Sequence, residues 1–193
     1  MKLGPPKKVI FLDVETTGLI AKKNDIVQFS AIIEYDGVVV DSIDIKMQPE
    51  NYRNVSLRAL DVQGKTIEDL KSYMSARDGY FAMANFIDSH VDRFCVADKL
   101  FPIGYNVNFD ISFLEEKFKK NGDSFLFSRI GAPIDVLPVV RMLSGCGKIK
   151  GLQNHRLETV CLRFGIEIQA HDSSSDVAAT RALYRLICSR VFI

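Results

Sequence analysis

Long apolar segments, a strong net charge and closely paired cysteines are all missing from this sequence of 193 residues. No run approaches the roughly 18 consecutive apolar residues of a membrane span. The polar residues 1–8 contain two prolines and lack the apolar core of a signal peptide. These absences predict a soluble, cytoplasmic protein that does not interact with membranes.

The charged residues almost balance, with 25 Lys and Arg against 24 Asp and Glu. A net charge of +1 argues against a protein that coats nucleic acid through bulk charge, but leaves room for a local basic cleft. The four cysteines are far apart and form no C-x-x-C pair, which predicts reduced thiols rather than a disulfide framework or a zinc site. A hydrophobic fraction of 47% supports one packed domain over residues 1–193.

Strand-like segments open the chain and helical segments dominate its later part. Strands are predicted at 9–15, 26–34 and 38–47, the last two joined by an Asp36-Gly37 hairpin. The later elements are a capping box at 66–69, helices at 80–94, 109–120, 157–164 and 177–189, a helix after Pro138, and short strands at 101–105 and 132–135. This order predicts an α/β sheet covered by helices.

Two acids interrupt the most hydrophobic predicted strand. Asp13 and Glu15 are two residues apart, so on a strand their carboxylates point to the same face. Buried like charges need a positive partner, and a metal ion is the simplest one. The alternative is that the strand has already ended and both acids are in water. The following turn, residues 16–19, contains a flexible glycine and can present backbone N–H groups to a ligand.

Two later segments carry further candidate groups. Asp110 lies at a predicted strand-to-helix junction, where it would act as a ligand or simply cap the helix, and Asn106 is either a substrate contact or a turn residue. His171 lies in a loop before the last predicted helix, and Asp176 falls in the first turn of that helix, where the dipole favours an anion. Both of these also have a structural interpretation, as a solvated histidine and a dipole-stabilising acid.

Together these segments resemble a known family. VIFLDVETTGL, GYNVNFDISFL and AHDSSSDVAATRAL are similar, in order and spacing, to the three motifs of the DEDDh family of 3′–5′ exonucleases, the DnaQ-like proofreading type. The resemblance covers nearly the whole chain. It departs at Tyr105, where many members have histidine.

The resemblance implies a ribonuclease H-like fold, with a mixed five-stranded sheet and helices on both faces. It also implies that Asp13, Glu15 and Asp176 bind metal directly, that Asp110 acts partly through metal-bound water, and that His171 is the general base. The residues that would hold the terminal nucleotide are Thr16, Thr17, Gly18, Leu19, Asn106 and Phe109. The implied cofactors are two Mg²⁺ or Mn²⁺ ions, which an all-carboxylate site favours over zinc.

The sequence therefore predicts an enzyme that releases nucleoside 5′-monophosphates from DNA 3′ ends by two-metal-ion hydrolysis. The expected partners are nucleic acid with a free 3′ end, single-stranded or frayed, and a DNA polymerase if the enzyme proofreads. The same chemistry on RNA, hydrolysis of a small phosphodiester and a non-catalytic nucleic-acid-binding domain remain alternatives. A basic, glycine-rich loop at 144–156, with Lys148 and Lys150, is a candidate contact to the phosphate backbone.

Overall fold

A computed structural model describes residues 8–169 and 171–191, and five strands of these residues form one sheet in the order β3-β2-β1-β4-β5. The strands are β1 (Lys8–Thr16), β2 (Ile26–Tyr35), β3 (Val38–Lys46), β4 (Phe101–Gly104) and β5 (Ile134–Asp135). The helices are α1 (Leu57–Gln63), α2 (Ile67–Ser72), α3 (Ala76–Asp88), α4 (Val107–Lys120), α5 (Leu126–Arg129), α6 (Val136–Gly145), α7 (Leu157–Phe164) and α8 (Ser173–Val191). In these ranges no helix is long and apolar enough to cross a membrane.

The sheet is mixed, as expected. β1, β2 and β3 form an antiparallel meander, and β4 and β5 run parallel to β1. At the hairpin between β2 and β3, Asp36 and Gly37 both have positive φ, 47° and 86°, which matches the twist of a tight hairpin. The predicted hairpin and the mixed five-stranded sheet are confirmed.

Helices cover both faces of the sheet, and the alternation of β1 shows which face carries the acids. Ile10 and Leu12 pack in one apolar core with α3 and α4, whereas Val9 and Phe11 pack in a second core with α6, α7 and α8. Since strand residues two apart share a face, Asp13 and Glu15 continue the face of Val9 and Phe11. The acids therefore lie at the edge of the second core, where it meets solvent.

α8 is attached firmly to the sheet. Glu34 of β2 is buried and forms ion pairs with Arg181 and Arg185 of α8. The helix begins at Ser173, earlier than the predicted 177, because the Asp172 side chain accepts a hydrogen bond from the Ser175 N–H at 3.2 Å. This cap fixes the start of the helix that carries Asp176.

The predicted helix at 80–94 is wrong at both ends. α3 begins after Ser75, whose hydroxyl accepts the Asp78 N–H, and it ends at Asp88. Beyond it, Asp98 accepts hydrogen bonds from the Asp92 N–H and from Lys8 Nζ, so the chain turns instead of continuing as a helix. Short helices α1 and α5 were not predicted, because their few residues give too little periodicity to recognise.

Candidate active site

The structure brings three acids together from opposite ends of the chain. Asp13 and Glu15 lie at the end of β1, and Asp176 lies in the first turn of α8. One carboxylate oxygen from each can be chosen so that all three lie within 4.8 Å of one another. Oxygens at this spacing can share one cation, whereas in its absence they repel each other.

Burial and mutual repulsion make this cluster electrostatically strained. Burial is the main cause that raises the pKa of Glu15 to about 7 and that of Asp176 to about 6. The pKa of Asp13 is well above its usual value, because of burial and then the charges of Asp110 and Asp176. Asp176 Oδ1 is buried and has no hydrogen-bond partner among the described residues. An all-oxygen donor set with excess negative charge and an unpartnered oxygen fits a hard divalent cation.

These pKa values predict how the stability of the metal-free protein depends on pH. The pKa values of Glu15 and Asp176 lie above their ordinary values of 4.5 and 3.8, so folding favours the protonated forms. This stabilisation is full below the ordinary values and is lost as the pH rises to about 6 and 7. Glu15→Gln cannot ionise, so its gain in Tm over wild type, measured with chelator, should be larger at about pH 8 than at about pH 5. An equal gain at both pH values would contradict the assigned burial of Glu15.

Asp110 is a fourth acid, and its charge contributes to the raised pKa of Asp13. It lies in the first turn of α4 and is 3% exposed, and its Oδ1 accepts the backbone N–H of Val14 at 3.0 Å. The helix-cap alternative is excluded, because the residue at the cap position is Asn106, in a left-handed conformation with φ 68°. Burial raises the pKa of Asp110 well above its usual value, and the Val14 N–H opposes this. Asp110 therefore ties α4 to the strand that carries Asp13 and Glu15.

The acids lie between two cavities. The first has a volume of about 710 Å³ and is lined by residues that include Glu15, Leu19 and Phe109. The second has a volume of about 740 Å³ and is lined by residues that include His171 and Asp176. Val62 of α1 lines both. Since each cavity contains part of the acidic cluster, a bound strand can occupy one cavity and place a phosphate at the acids.

The predicted nucleotide-binding residues divide between the cavities. Thr16, Gly18, Leu19 and Phe109 line the first, and Asn106 lines the second. Leu19 is 84% exposed and presents free apolar surface. Thr17 is fully buried: its hydroxyl accepts the Asp25 N–H and its carbonyl accepts the Ser56 N–H. In the described part of the chain Thr17 lines neither cavity, and its hydrogen bonds hold the turn.

Gly18 has a steric role that was not predicted. A Cβ at this position would lie 2.6 Å from the side chain of Asn24. Asn24 is itself fixed, because it donates to the Asn54 carbonyl at 2.7 Å and accepts the Ile20 N–H at 3.0 Å. The turn after β1 is therefore packed closely on Asn24, and position 18 has no room for a side chain.

His171 lies at the rim of the second cavity. It is exposed and has a left-handed backbone with φ 65°, and its backbone N–H forms a hydrogen bond to the Asp176 carboxylate. His171 and Asp176 therefore line the same cavity, and the His171 side chain is exposed. A histidine in this position can exchange a proton with water bound at the acids.

Two residues of the basic loop predicted at 144–156 line the second cavity together with His171. His155 and Arg156 line the second cavity together with Arg141, whereas in the described structure Lys148 and Lys150 line neither cavity. The Nε2 atom of His155 is buried. The Tyr105 hydroxyl donates to the His155 carbonyl at 2.6 Å and so fixes this segment against the residue that precedes Asn106. No sequence motif indicated this pairing.

A mixed five-stranded sheet covered by helices, with three carboxylates clustered beside its central strand, has the architecture of the ribonuclease H-like fold. The family model of the RNase T exonucleases matches residues 10–184. The chain belongs to this exonuclease family.

Relatives and solved structures agree with this assignment. The chain is 28% identical over 180 residues to the PolC-type DNA polymerase III of Halalkalibacterium halodurans and 29% identical over 175 residues to that of Bacillus subtilis. These matches cover 92% and 90% of this chain, which spans 11% of each relative. In fold it is similar to Escherichia coli exonuclease I in complex with a dT13 oligonucleotide, with a TM-score of 0.81, 23% identity, and coverage of 96% of this chain and 42% of that one.

Proposed function

We propose that this protein is a divalent-metal-dependent 3′–5′ exonuclease that releases nucleoside 5′-monophosphates from DNA ends. The observation that carries the proposal is the position of Asp13, Glu15 and Asp176 between two cavities, one with free apolar surface and the other with a histidine. The names of the relatives and of the solved structure, which refer to a DNA polymerase and to a bound DNA oligonucleotide, favour DNA as the substrate.

The acids would hold the metal. Asp13, Glu15 and Asp176 supply oxygens close enough to share ions, and Asp110 would support Asp13 and complete the site for a pair of Mg²⁺ or Mn²⁺ ions. When bound, such ions supply Lewis-acid stabilisation of the charge that develops on the scissile phosphate. The raised pKa values of the acids, caused mainly by burial, mean that ionised carboxylates are costly here without a bound cation, which supports metal binding.

The first cavity would receive the terminal nucleotide. Leu19 and Phe109 offer apolar surface against which a base can pack, and base stacking on such side chains tolerates any sequence. Lys23, Arg53 and Arg58 also line this cavity and can contact phosphates. Because the terminal nucleotide would have to separate from its partner strand to enter this cavity, a frayed or mismatched terminus should be the preferred substrate.

His171 would act as the general base. Its left-handed backbone and its link to Asp176 place the imidazole at the edge of the second cavity. From there it can accept the proton of the attacking water, while Asp13 and Glu15 approach the phosphate from the sheet. In this proposal the acids bind the metal ions and His171 accepts the proton, so the two tasks belong to different elements of the fold.

End-blocked oligonucleotides test the proposal directly. A labelled DNA strand blocked at its 3′ end should resist the enzyme in Mg²⁺, whereas a strand blocked at its 5′ end should shorten in single-nucleotide steps, because the terminal nucleotide must enter the first cavity. Shortening should stop with chelator and should be faster at a mismatched than at a matched primer end. Cleavage of circular single-stranded DNA would contradict the proposal, and a matched RNA strand that is cut faster than DNA would assign the RNA alternative.

A further inference from the structure

Lys65 is a cation next to the acidic cluster to which the proposed reaction assigns no task. It follows α1, which ends at Gly64 in a left-handed conformation with φ 62°, and the Lys65 N–H donates to the Leu60 carbonyl at 3.0 Å. The adjacent Gln63 donates to the Thr16 carbonyl at 2.8 Å. These hydrogen bonds hold the segment against the end of β1, immediately beyond Glu15.

The ammonium of Lys65 is held by a buried partner. Lys65 Nζ donates to Gln28 Oε1 at 2.9 Å, and Gln28 is fully buried and directly opposite Glu15 in the β1–β2 pairing. The Nε2 atom of Gln28 donates to Asp44 Oδ1 at 2.9 Å, so Oε1 is the amide atom left to accept from Lys65. Asp44 also accepts from the Ser30 hydroxyl at 2.7 Å, which fixes the whole arrangement across the sheet.

The position of Lys65 gives it an electrostatic effect on Glu15. Its positive charge is the largest influence that opposes the burial-driven rise in the pKa of Glu15. Lys46, Asp44 and Asp172 are the other charged groups that act on Lys65. Lys65 is not among the described residues that line the two cavities, which favours an action through its charge on the cluster over a contact with a bound strand.

We propose that Lys65 is a built-in counter-charge of the acidic cluster, which stabilises the metal-free protein and weakens the binding of divalent cations. An ammonium fixed beside Glu15 attracts the carboxylate and repels any cation that the same carboxylate binds. The inference rests on the proposed metal-binding function of Asp13, Glu15 and Asp176. Lys65 is thus a positioning residue that sets the affinity of the site rather than a group that touches substrate.

The direction of the change in cation affinity distinguishes this role of Lys65 from a merely structural one. Lys65→Gln should bind Mg²⁺ or Mn²⁺ at least about tenfold more tightly than wild type, since at an effective dielectric of about 20 the repulsion between a nearby unit charge and a divalent ion exceeds the energy of a tenfold change in affinity. Lys65→Glu should bind more tightly still, and Lys65→Arg should match wild type. Binding is measured by calorimetry on the protein without nucleic acid. Thermal unfolding with chelator should show a lower Tm for Lys65→Gln, because the acids lose their counter-charge.

Lys71→Gln is the matched control, because Lys71 is an exposed lysine on the neighbouring helix paired with Glu68. It should leave both metal affinity and Tm unchanged. Equal or weaker cation binding by Lys65→Gln would overturn the inference, as would equal affinities for the Gln and Glu variants. If wild-type protein binds no divalent cation, the proposed function itself fails. Binding by the wild type that Asp13→Asn abolishes keeps the function intact whatever Lys65 does.

Discussion

Asp13→Asn should reduce the rate at which a DNA strand with a free 3′ end is cleaved by at least about 10³-fold in saturating Mg²⁺. The reason is that metal stabilisation of the transition state is worth several kcal/mol, and each 1.36 kcal/mol is about tenfold in rate. The pKa of Asp13 is raised by the charges of Asp110, Asp176 and Glu15. Asparagine keeps its size but removes the charge that a cation needs. The measurement is single-turnover cleavage, together with thermal unfolding of the same preparation.

The variant should remain folded, and in chelator its Tm should equal or exceed that of wild type, because one of the mutually repelling charges is gone. Asp41→Asn is a suitable control: Asp41 is an exposed acid of β3 that pairs with His90, outside both cavities as described. It should cleave at the wild-type rate. A folded Asp13→Asn protein with normal cleavage would show that the active site lies elsewhere.

His171→Ala should lower kcat by roughly 10²–10⁴-fold, the usual contribution of a positioned general base. The KM for DNA and the affinity for Mg²⁺ should change little, because His171 lies at the rim of the second cavity and Asp13, Glu15 and Asp176 are left in place. Steady-state kinetics with a single-stranded substrate, combined with calorimetry of metal binding, separates the two effects.

His155→Ala provides the matched comparison, since His155 lines the same cavity but its Nε2 is buried. It should retain most of its kcat. If His155→Ala loses as much turnover as His171→Ala, the base has been assigned to the wrong histidine. A His171→Ala protein with unchanged kcat would return His171 to the role of a solvated loop residue.

Sequence patterns predicted best the features that depend on neighbours in the chain. The hairpin at Asp36-Gly37, the capping box at Thr66 and the end of α7 at Gly165 are all present, because each needs only a few adjacent residues. The predicted helix at 80–94 failed because apolar spacing cannot show that Asp98 binds the Asp92 N–H and Lys8, or that Phe94 is 84% exposed. Long-range polar contacts decided where that helix stops.

The sequence by itself determined that Asp13 and Glu15 belong together on one face of β1. A strand alternates its side chains with a period of two, and the spacing of these two acids follows that rule. Only the tertiary structure decided what surrounds them. It brought Asp176 within 4.8 Å, set Asp110 against the Val14 N–H, and placed Lys65 on Gln28 behind Glu15. These distances depend on how α8, α4 and α1 pack on the sheet, which no local pattern encodes.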